Sequence, residues 1–140
     1  IDEAFTAALL HDVGVLVLVA NKPDDYVRVL ELMRANQVPD WAAERDIFGA
    51  DHAHVGAYLL GIWGLGDGIV EAVAFHQHPA DYNASGFQAL TAVHVANAFA
   101  EAQASADVAT GDALNLDQSY LTRENLLSSI PHWRELCAAA

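Results

Sequence analysis

Apolar residues recur at helical spacing along most of this 140-residue chain, and no stretch alternates apolar and polar residues for long enough to indicate a strand. Turn and capping residues divide the pattern into segments. The sequence therefore predicts an all-α helical bundle of about six to eight helices with no significant sheet. The predicted helices cover residues 1–20, 23–36, 41–48, 52–63, 69–77 and 87–103, and a last one begins near residue 122 and is interrupted by Pro131.

The most apolar stretch, residues 7–18, contains one adjacent polar pair, His11 and Asp12. Apolar residues on all sides of a helix indicate that it is buried on most faces. Burying both polar side chains costs free energy unless they are hydrogen-bonded, paired or bound to a metal. We therefore expect partners for this pair from other parts of the chain.

Two further segments have features that the structure can test. Asp51 is expected to cap the helix over 52–63, and Gly56 on its buried side would let another helix approach closely. Asp67 is expected to cap the next helix.

Residues 1–140 are expected to form one domain, in which residues 105–119 make a polar, mobile connection. The buried stripe of the 52–63 helix is predicted to consist of Val55, Leu59, Ile62 and Trp63.

Composition agrees with helices and indicates a reducing compartment. Hydrophobic residues make up 54% of the chain, carried by alanine, leucine and valine, and aromatic residues only 9%. The single cysteine, Cys137, excludes an internal disulfide. No signal peptide is visible, and the longest uninterrupted apolar run, residues 13–20, is too short to span a bilayer. We expect a cytoplasmic protein.

The charge distribution excludes two classes of partner. Six basic residues oppose nineteen acidic ones, and residues 46–122 contain no lysine or arginine. A nucleic-acid surface needs clustered basic residues, and so does binding to an anionic membrane. The sequence therefore predicts neither partner, and solubility accounts for most of the acidity.

Histidines supply the candidate chemistry. Of seven in the chain, His54, His78 and His132 read as surface or capping residues, and the other four occupy more informative positions. Imidazoles and a carboxylate from separate helices can hold a divalent metal in a bundle core. Taken singly, His52, His76 and His94 each favour a structural hydrogen bond over the role of a metal ligand. The candidate metal ligands are His11, Asp12, His52 and His76, with His94 and Asn97, which share a helix face, as possible contributors.

The ordered set of motifs resembles a known family. Residues 9–14 (LLHDVG) resemble the signature of the HD superfamily of metal-dependent phosphohydrolases. Residues 48–60 (FGADHAHVGAYLL), 63–65 (WGL), 75–79 (FHQHP) and 93–97 (VHVAN) resemble its HDOD branch, the HD-related output domain. The resemblance implies a helical bundle of the HD-domain or phosphodiesterase type whose first helices precede residue 1.

The resemblance also implies a metal site that is depleted in this chain. His11, Asp12, His52 and His76 match ligand positions of the catalytic relatives. Gln77 stands where the second histidine of a pair would be, and Asn97 stands where an aspartate would be. A neutral amide balances the charge of a dication poorly. The set of residues therefore predicts a degenerate divalent-metal site.

Two hypotheses follow for the function. The first is a bacterial signalling output domain without robust catalysis, which acts through protein partners or fused receiver or cyclic-di-GMP-related modules. The second is a metal-dependent phosphohydrolase acting on a nucleotide or another phosphoester, with His11 and Asp12 in catalytic roles. A purely structural assembly domain with no ligand is a third alternative. Metal content and turnover distinguish the first two.

Overall fold

The computed structural model describes residues 2–83, 88–104 and 114–138, and these residues contain helices and no strand. The predicted all-α class is confirmed. Two single 3-10 turns, Pro79–Asp81 and Leu127–Ser129, lie between α-helices. The α-helices are α1 (Asp2–Leu10), α2 (Val13–Asn21), α3 (Pro23–Asn36), α4 (Asp40–Phe48), α5 (His52–Ile62), α6 (Asp67–Phe75), α7 (Ala89–Ala104), α8 (Gln118–Arg123) and α9 (Ile130–Ala138).

Local signals account for most helix ends. Pro23 opens α3, where its missing N–H costs nothing. Asp51 caps α5 as predicted, because its carboxylate accepts the His54 N–H at 3.0 Å. Gly49 ends α4 with a φ of 79°, a conformation that favours glycine. The predicted cap of α6 is wrong by one position: Gly66 is the N-cap and Asp67 is the first helical residue.

The prediction of one continuous helix over residues 1–20 is wrong. The chain turns at His11 and Asp12, and α2 starts at Val13 with Asp12 at its N-cap position. At this break the His11 ring donates to the Ala8 carbonyl, at 2.8 Å, which is the acceptor that the Asp12 N–H would use in a continuous helix. This break places two polar side chains at the junction of two helices, where both can face the same site.

The α1–α2 segment is also less buried than its composition predicts. Its buried residues are Ala7, Gly14 and Leu18, whereas Phe5, Leu9 and Leu16 are each about 70% exposed (71%, 74% and 69%). The outer side of both helices is therefore an apolar surface. Taken together, residues Asp2–Asn21 are long and apolar enough to cross a membrane. Core helices of soluble proteins and signal sequences meet the same criterion of length and composition.

Helices α2 and α5 cross in backbone contact. A methyl group at Gly14 would lie 1.9 Å from the His52 carbonyl oxygen, and one at Gly56 would lie 3.2 Å from the Gly14 nitrogen. The expected close approach at Gly56 is confirmed. The predicted stripe of α5 is wrong in part, because Ile62 and Trp63 are more than 60% exposed. The buried face of α5 instead consists of His52, Ala53, Gly56, Ala57 and Leu60.

Several boundaries after α5 also differ from the prediction. Helix α6 ends at Phe75, before the expected residue 77, and α8 begins at Gln118, inside the predicted connection. Pro131 does not interrupt a helix but lies in the first turn of α9, where proline fits. Residues 84–87 and 105–113, which include the expected start of α7 and most of the predicted connection, lie outside the described residues.

Candidate metal centre

Four of the predicted site residues, His11, Asp12, His52 and His76, meet at one place. There the turn between α1 and α2 lies beside the start of α5 and the end of α6. His52 is the first residue of α5, and His76 directly follows α6. The rings of His11 and His52 lie 5.1 and 5.5 Å, centroid to centroid, from the ring of His76. The structure therefore brings together residues that are up to 65 positions apart in sequence (76 − 11).

Asp12 lies at the middle of this group. Its Oδ2 is 3.2 Å from His11 Nε2, and its Oδ1 is 3.5 Å from His52 Nε2 and 3.8 Å from His76 Nε2. The Asp12 side chain is 56% exposed, whereas those of His52 and His76 are almost fully buried. The sequence predicted that His11 and Asp12 are enclosed among aliphatic side chains, and the exposure of Asp12 shows that this prediction is wrong. The carboxylate instead forms the solvent-facing side of a cluster of buried imidazoles.

Each of the three rings presents the same nitrogen to the centre. His11 Nδ1 donates to the Ala8 carbonyl and His76 Nδ1 to the Val73 carbonyl, both at 2.8 Å. His52 Nδ1 lies 2.7 Å from a carboxylate oxygen of Glu44. These partners place the proton on Nδ1 and leave a lone pair on Nε2. All three Nε2 atoms are buried and have no hydrogen-bond partner.

Neighbouring charges and burial shift the pKa values of the three rings in different directions. The close contact with the Asp12 carboxylate raises the pKa of His11. Burial lowers the pKa of His52, but the hydrogen bond to Glu44 together with electrostatic interactions with Glu44, Asp40 and Asp12 outweighs burial and raises that pKa. Burial, helped by the neighbouring His52 and His11, lowers the pKa of His76 to about 4. His76 is therefore a neutral imidazole at neutral pH.

Asp12 remains ionised in this setting. Desolvation by burial opposes its charge, but the contact with His11 together with electrostatic interactions with His11, His52 and His76 outweighs desolvation and lowers the pKa of Asp12. A deprotonated carboxylate and a neutral His76 are the forms that bind a metal.

Glu44 is a site residue that the sequence analysis missed. It is fully buried on α4, and it accepts the Tyr26 hydroxyl at 3.0 Å and the His52 N–H at 2.8 Å. The pattern of α4 contained a signal for it. Glu44 falls between Trp41 and Phe48 at helical spacing, so an acidic residue stands on the apolar stripe.

His94 is a structural residue, and Asn97 is not placed as a ligand. His94 Nδ1 donates to the His76 carbonyl at 2.7 Å, and its Nε2 accepts the Asp117 N–H at 2.9 Å. Both ring nitrogens are therefore used by backbone groups, and none is free for a metal. Asn97 lies beside His11 and contributes to raising its pKa, while its amide donates to Glu101 at 2.8 Å.

The remaining histidines lie away from the centre. His132 is exposed on α9, and the largely exposed His54 contacts the Asp51 carboxylate at 2.6 Å. His78 is half-buried and packs edge-on against Trp41, with 4.4 Å between ring centroids.

The donor set fits a divalent transition metal. One ligand atom each from His11, Asp12 and His76 lies within 4.8 Å of the other two, and His52 Nε2 is next to the same carboxylate. Imidazole nitrogen with a carboxylate oxygen suits zinc, iron and other first-row dications. The three unpaired nitrogens support this fit, because unsatisfied buried polar atoms are rare in folded proteins. Outer hydrogen bonds to Nδ1, which orient metal-binding histidines, are already present.

The fold and the sequence were compared with those of known proteins. A crystal structure of a protein named "Putative phosphohydrolase" from Shewanella amazonensis SB2B superposes with a TM-score of 0.65 and 25% identity, covering 91% of this chain and 45% of that one. An uncharacterized protein of Treponema pallidum (strain Nichols) is 23% identical over 78 residues, which are 56% of this chain and 15% of that protein. The chain thus spans less than half of either relative.

The family comparison covers the segments that build the centre. The model of the HDOD domain matches residues 1–79, more than half of the chain. This range contains His11, Asp12, His52 and His76 together with Glu44. The chain belongs to the HDOD domain family.

Proposed function

We propose that this HDOD domain is a signalling output module with a single divalent-metal centre at His11, Asp12, His52 and His76, and that it acts through protein contacts rather than robust catalysis. The observation that carries the proposal is the convergence of three unpaired Nε2 atoms on one carboxylate. Four donors complete the ligand set of one metal ion. When bound, such an ion supplies Lewis acidity toward water or a phosphoester oxygen only if its coordination expands beyond these four donors.

The chemistry around the centre favours a regulatory role. A two-metal site that clamps a phosphoester needs further carboxylate or imidazole ligands, and positions 77 and 97 hold amides. No lysine or arginine occurs in residues 46–122, the part of the chain that contributes His52 and His76. Phosphoryl transfer depends on positive charge at the transferring group, so this donor set supports metal binding better than turnover.

The surface supports action through protein contacts. Phe5, Leu9 and Leu16 are exposed on α1 and α2, the helices that flank Asp12. Phe5 and Leu9 are four residues apart on α1 and so share a face, and exposed apolar patches are typical of interaction sites. A fused receiver or cyclic-di-GMP-related module, or a separate protein, is the kind of partner we propose for a cytoplasmic signalling domain.

A metal-dependent phosphohydrolase is the second candidate. One observation favours it: the Asp12 side chain is 56% exposed, so a substrate could reach the centre from solvent. The name of the Shewanella amazonensis protein points in the same direction. In this case His11 and Asp12 would lie closest to the reacting group.

Metal analysis combined with a turnover assay tests the proposal. The chain would be purified without added metal, analysed for zinc, iron, manganese and cobalt, and then assayed with bis-p-nitrophenyl phosphate and with cyclic dinucleotides. We expect about one metal ion per chain and no turnover above that of His11→Ala. His132→Ala, which alters an exposed histidine, should keep the wild-type metal content.

Other outcomes point elsewhere. Stoichiometric metal together with turnover that is lost in His11→Ala would establish the phosphohydrolase. Wild-type protein that takes up no metal, even at saturating concentration, would refute the centre itself.

A further inference from the structure

Glu44 is a fully buried carboxylate in contact with the candidate metal centre, yet it is not one of the four proposed donors. It has no exposed surface, and it belongs to α4, which contributes no donor. A buried carboxylate is costly unless its oxygens are paired. Oε1 accepts the Tyr26 hydroxyl, and Oε2 lies within 2.8 Å of both the His52 backbone nitrogen and its Nδ1.

These contacts fix the orientation of the His52 ring. The backbone N–H and the ring N–H of the same residue reach one oxygen, so rotation of the ring about its side-chain bonds would break the shorter contact. In this orientation Nε2 lies 3.5 Å from Asp12 Oδ1. His11 and His76 are held differently, because their Nδ1 atoms donate to neutral backbone carbonyls.

The charge balance gives Glu44 a second role. Three neutral imidazoles and Asp12 leave a divalent ion with one uncompensated positive charge. Asn97 and Gln77 contribute no charge. Glu44, one imidazole away from the ion, brings the sum to zero on the buried side of the cluster, where an unbalanced charge is costly.

We propose that Glu44 is the positioning residue of this metal centre, which aligns His52 and supplies the second negative charge through it, and that Tyr26 holds Glu44 in place. This inference rests on the proposed function, because it requires that the centre binds a metal. It also ties α3 and α4 to the centre, since Tyr26 and Glu44 lie on these two helices.

The metal affinities of wild type and of matched variants test the inference. The dissociation constant for Zn²⁺ would be measured by competition with a chromogenic chelator, and the visible absorption of the Co²⁺ form would report ligand geometry. Glu44→Gln keeps the shape of the side chain and removes its charge. We expect it to weaken Zn²⁺ binding by about 10- to 100-fold and to change the Co²⁺ spectrum. Asp46→Asn, which removes one charge from an exposed position of the same helix, should match wild type.

A double-mutant cycle with His52→Asn shows whether Glu44 acts through His52. The asparagine amide can replace Nδ1–H as the donor to Glu44 but provides no Nε2, so the fold keeps its buried hydrogen bond. We expect Glu44→Gln to cause no further loss of affinity in this background. Should Glu44→Gln fail to fold, Tyr26→Phe takes its place in the cycle, with an expected weakening of several-fold.

The outcomes separate the inference from the proposed function. If wild type binds no metal, the proposed centre is refuted, and the role of Glu44 with it. If wild type binds metal and Glu44→Gln binds it equally well, the centre stands and the inference is wrong. An equal loss of affinity in the wild-type and His52→Asn backgrounds would also overturn the inference, because Glu44 would then act independently of His52.

Discussion

Replacing Gly14 with alanine should separate the two helices whose contact builds the centre. The added methyl group would lie 1.9 Å from the His52 carbonyl oxygen, 2.7 Å from its carbon and 2.8 Å from the Gly56 nitrogen. All three atoms are backbone atoms of α5, so no side-chain rotation can relieve the contact. Helix α2 must move away from α5 by more than an ångström to restore ordinary van der Waals distances.

The expected cost follows from two opposing effects. Overpacking a well-packed core destabilises a protein by about 1–3 kcal/mol, and occasionally by more. Alanine is a better helix former than glycine by up to about 1 kcal/mol. Because the obstruction here is backbone rather than a flexible side chain, the overpacking cost should reach or exceed the top of that range, at about 3–4 kcal/mol, which leaves a net loss of about 2–3 kcal/mol. The same displacement moves Asp12, two residues before Gly14, away from His52 and should weaken metal binding.

Urea unfolding followed by circular dichroism measures this loss in the metal-free protein. Gly61→Ala is the matched control, because Gly61 lies in α5 and a methyl group there would meet nothing within 4 Å. That control should be neutral or stabilising by up to about 1 kcal/mol. If Gly14→Ala is as stable as Gly61→Ala, the helices do not meet in backbone contact at this position, and the reasoning about their crossing is wrong.

Two further predictions concern individual histidines. His94→Ala should lower the free energy of unfolding by about 2–4 kcal/mol and leave metal stoichiometry unchanged, because one buried and one half-buried backbone group lose their partner. His132→Ala should stay within about 0.5 kcal/mol of wild type. A loss of metal in His94→Ala would contradict the structural role. The pKa of His76, at about 4, lies below the 6.5 of a free histidine, so the folded state favours its neutral form. The stability from this neutral form is present above pH 6.5 and is lost as the pH falls toward 4, by on the order of 3 kcal/mol. Urea unfolding of metal-free wild type and His76→Gln between pH 7 and 4 should show a shallower decline in the variant, and parallel curves would speak against the shifted pKa.

The helices themselves were largely predictable because their signals are local. Pro23 and Gly49 act on backbone within one turn, and Asp51 caps α5 through an N–H only three residues away. The error at residues 11–12 has the same origin. An apolar run has no polar face, and nothing in it shows that α1 ends at Leu10 or that the His11 ring donates to the Ala8 carbonyl.

Burial within apolar helices was predicted less well. Ile62 and Trp63 were expected inside and are exposed, whereas Leu9 and Leu16 lie on an outer surface. Which side of such a helix is covered depends on what packs against it. In α5 the decisive contact is Gly56 with Gly14, which are 42 positions apart (56 − 14).

The sequence by itself determined that the chain is helical, where most helices begin, and which residue types could hold a metal. Only the tertiary structure decided which of those residues meet. It placed His52 and His76 against Asp12, assigned His94 to two backbone groups, and brought the unforeseen Glu44 to His52. The physical reason is the distance along the sequence over which each interaction acts. Caps and turns act over a few residues and are visible in the order of the chain, whereas a ligand set depends on contacts between helices that are distant in sequence.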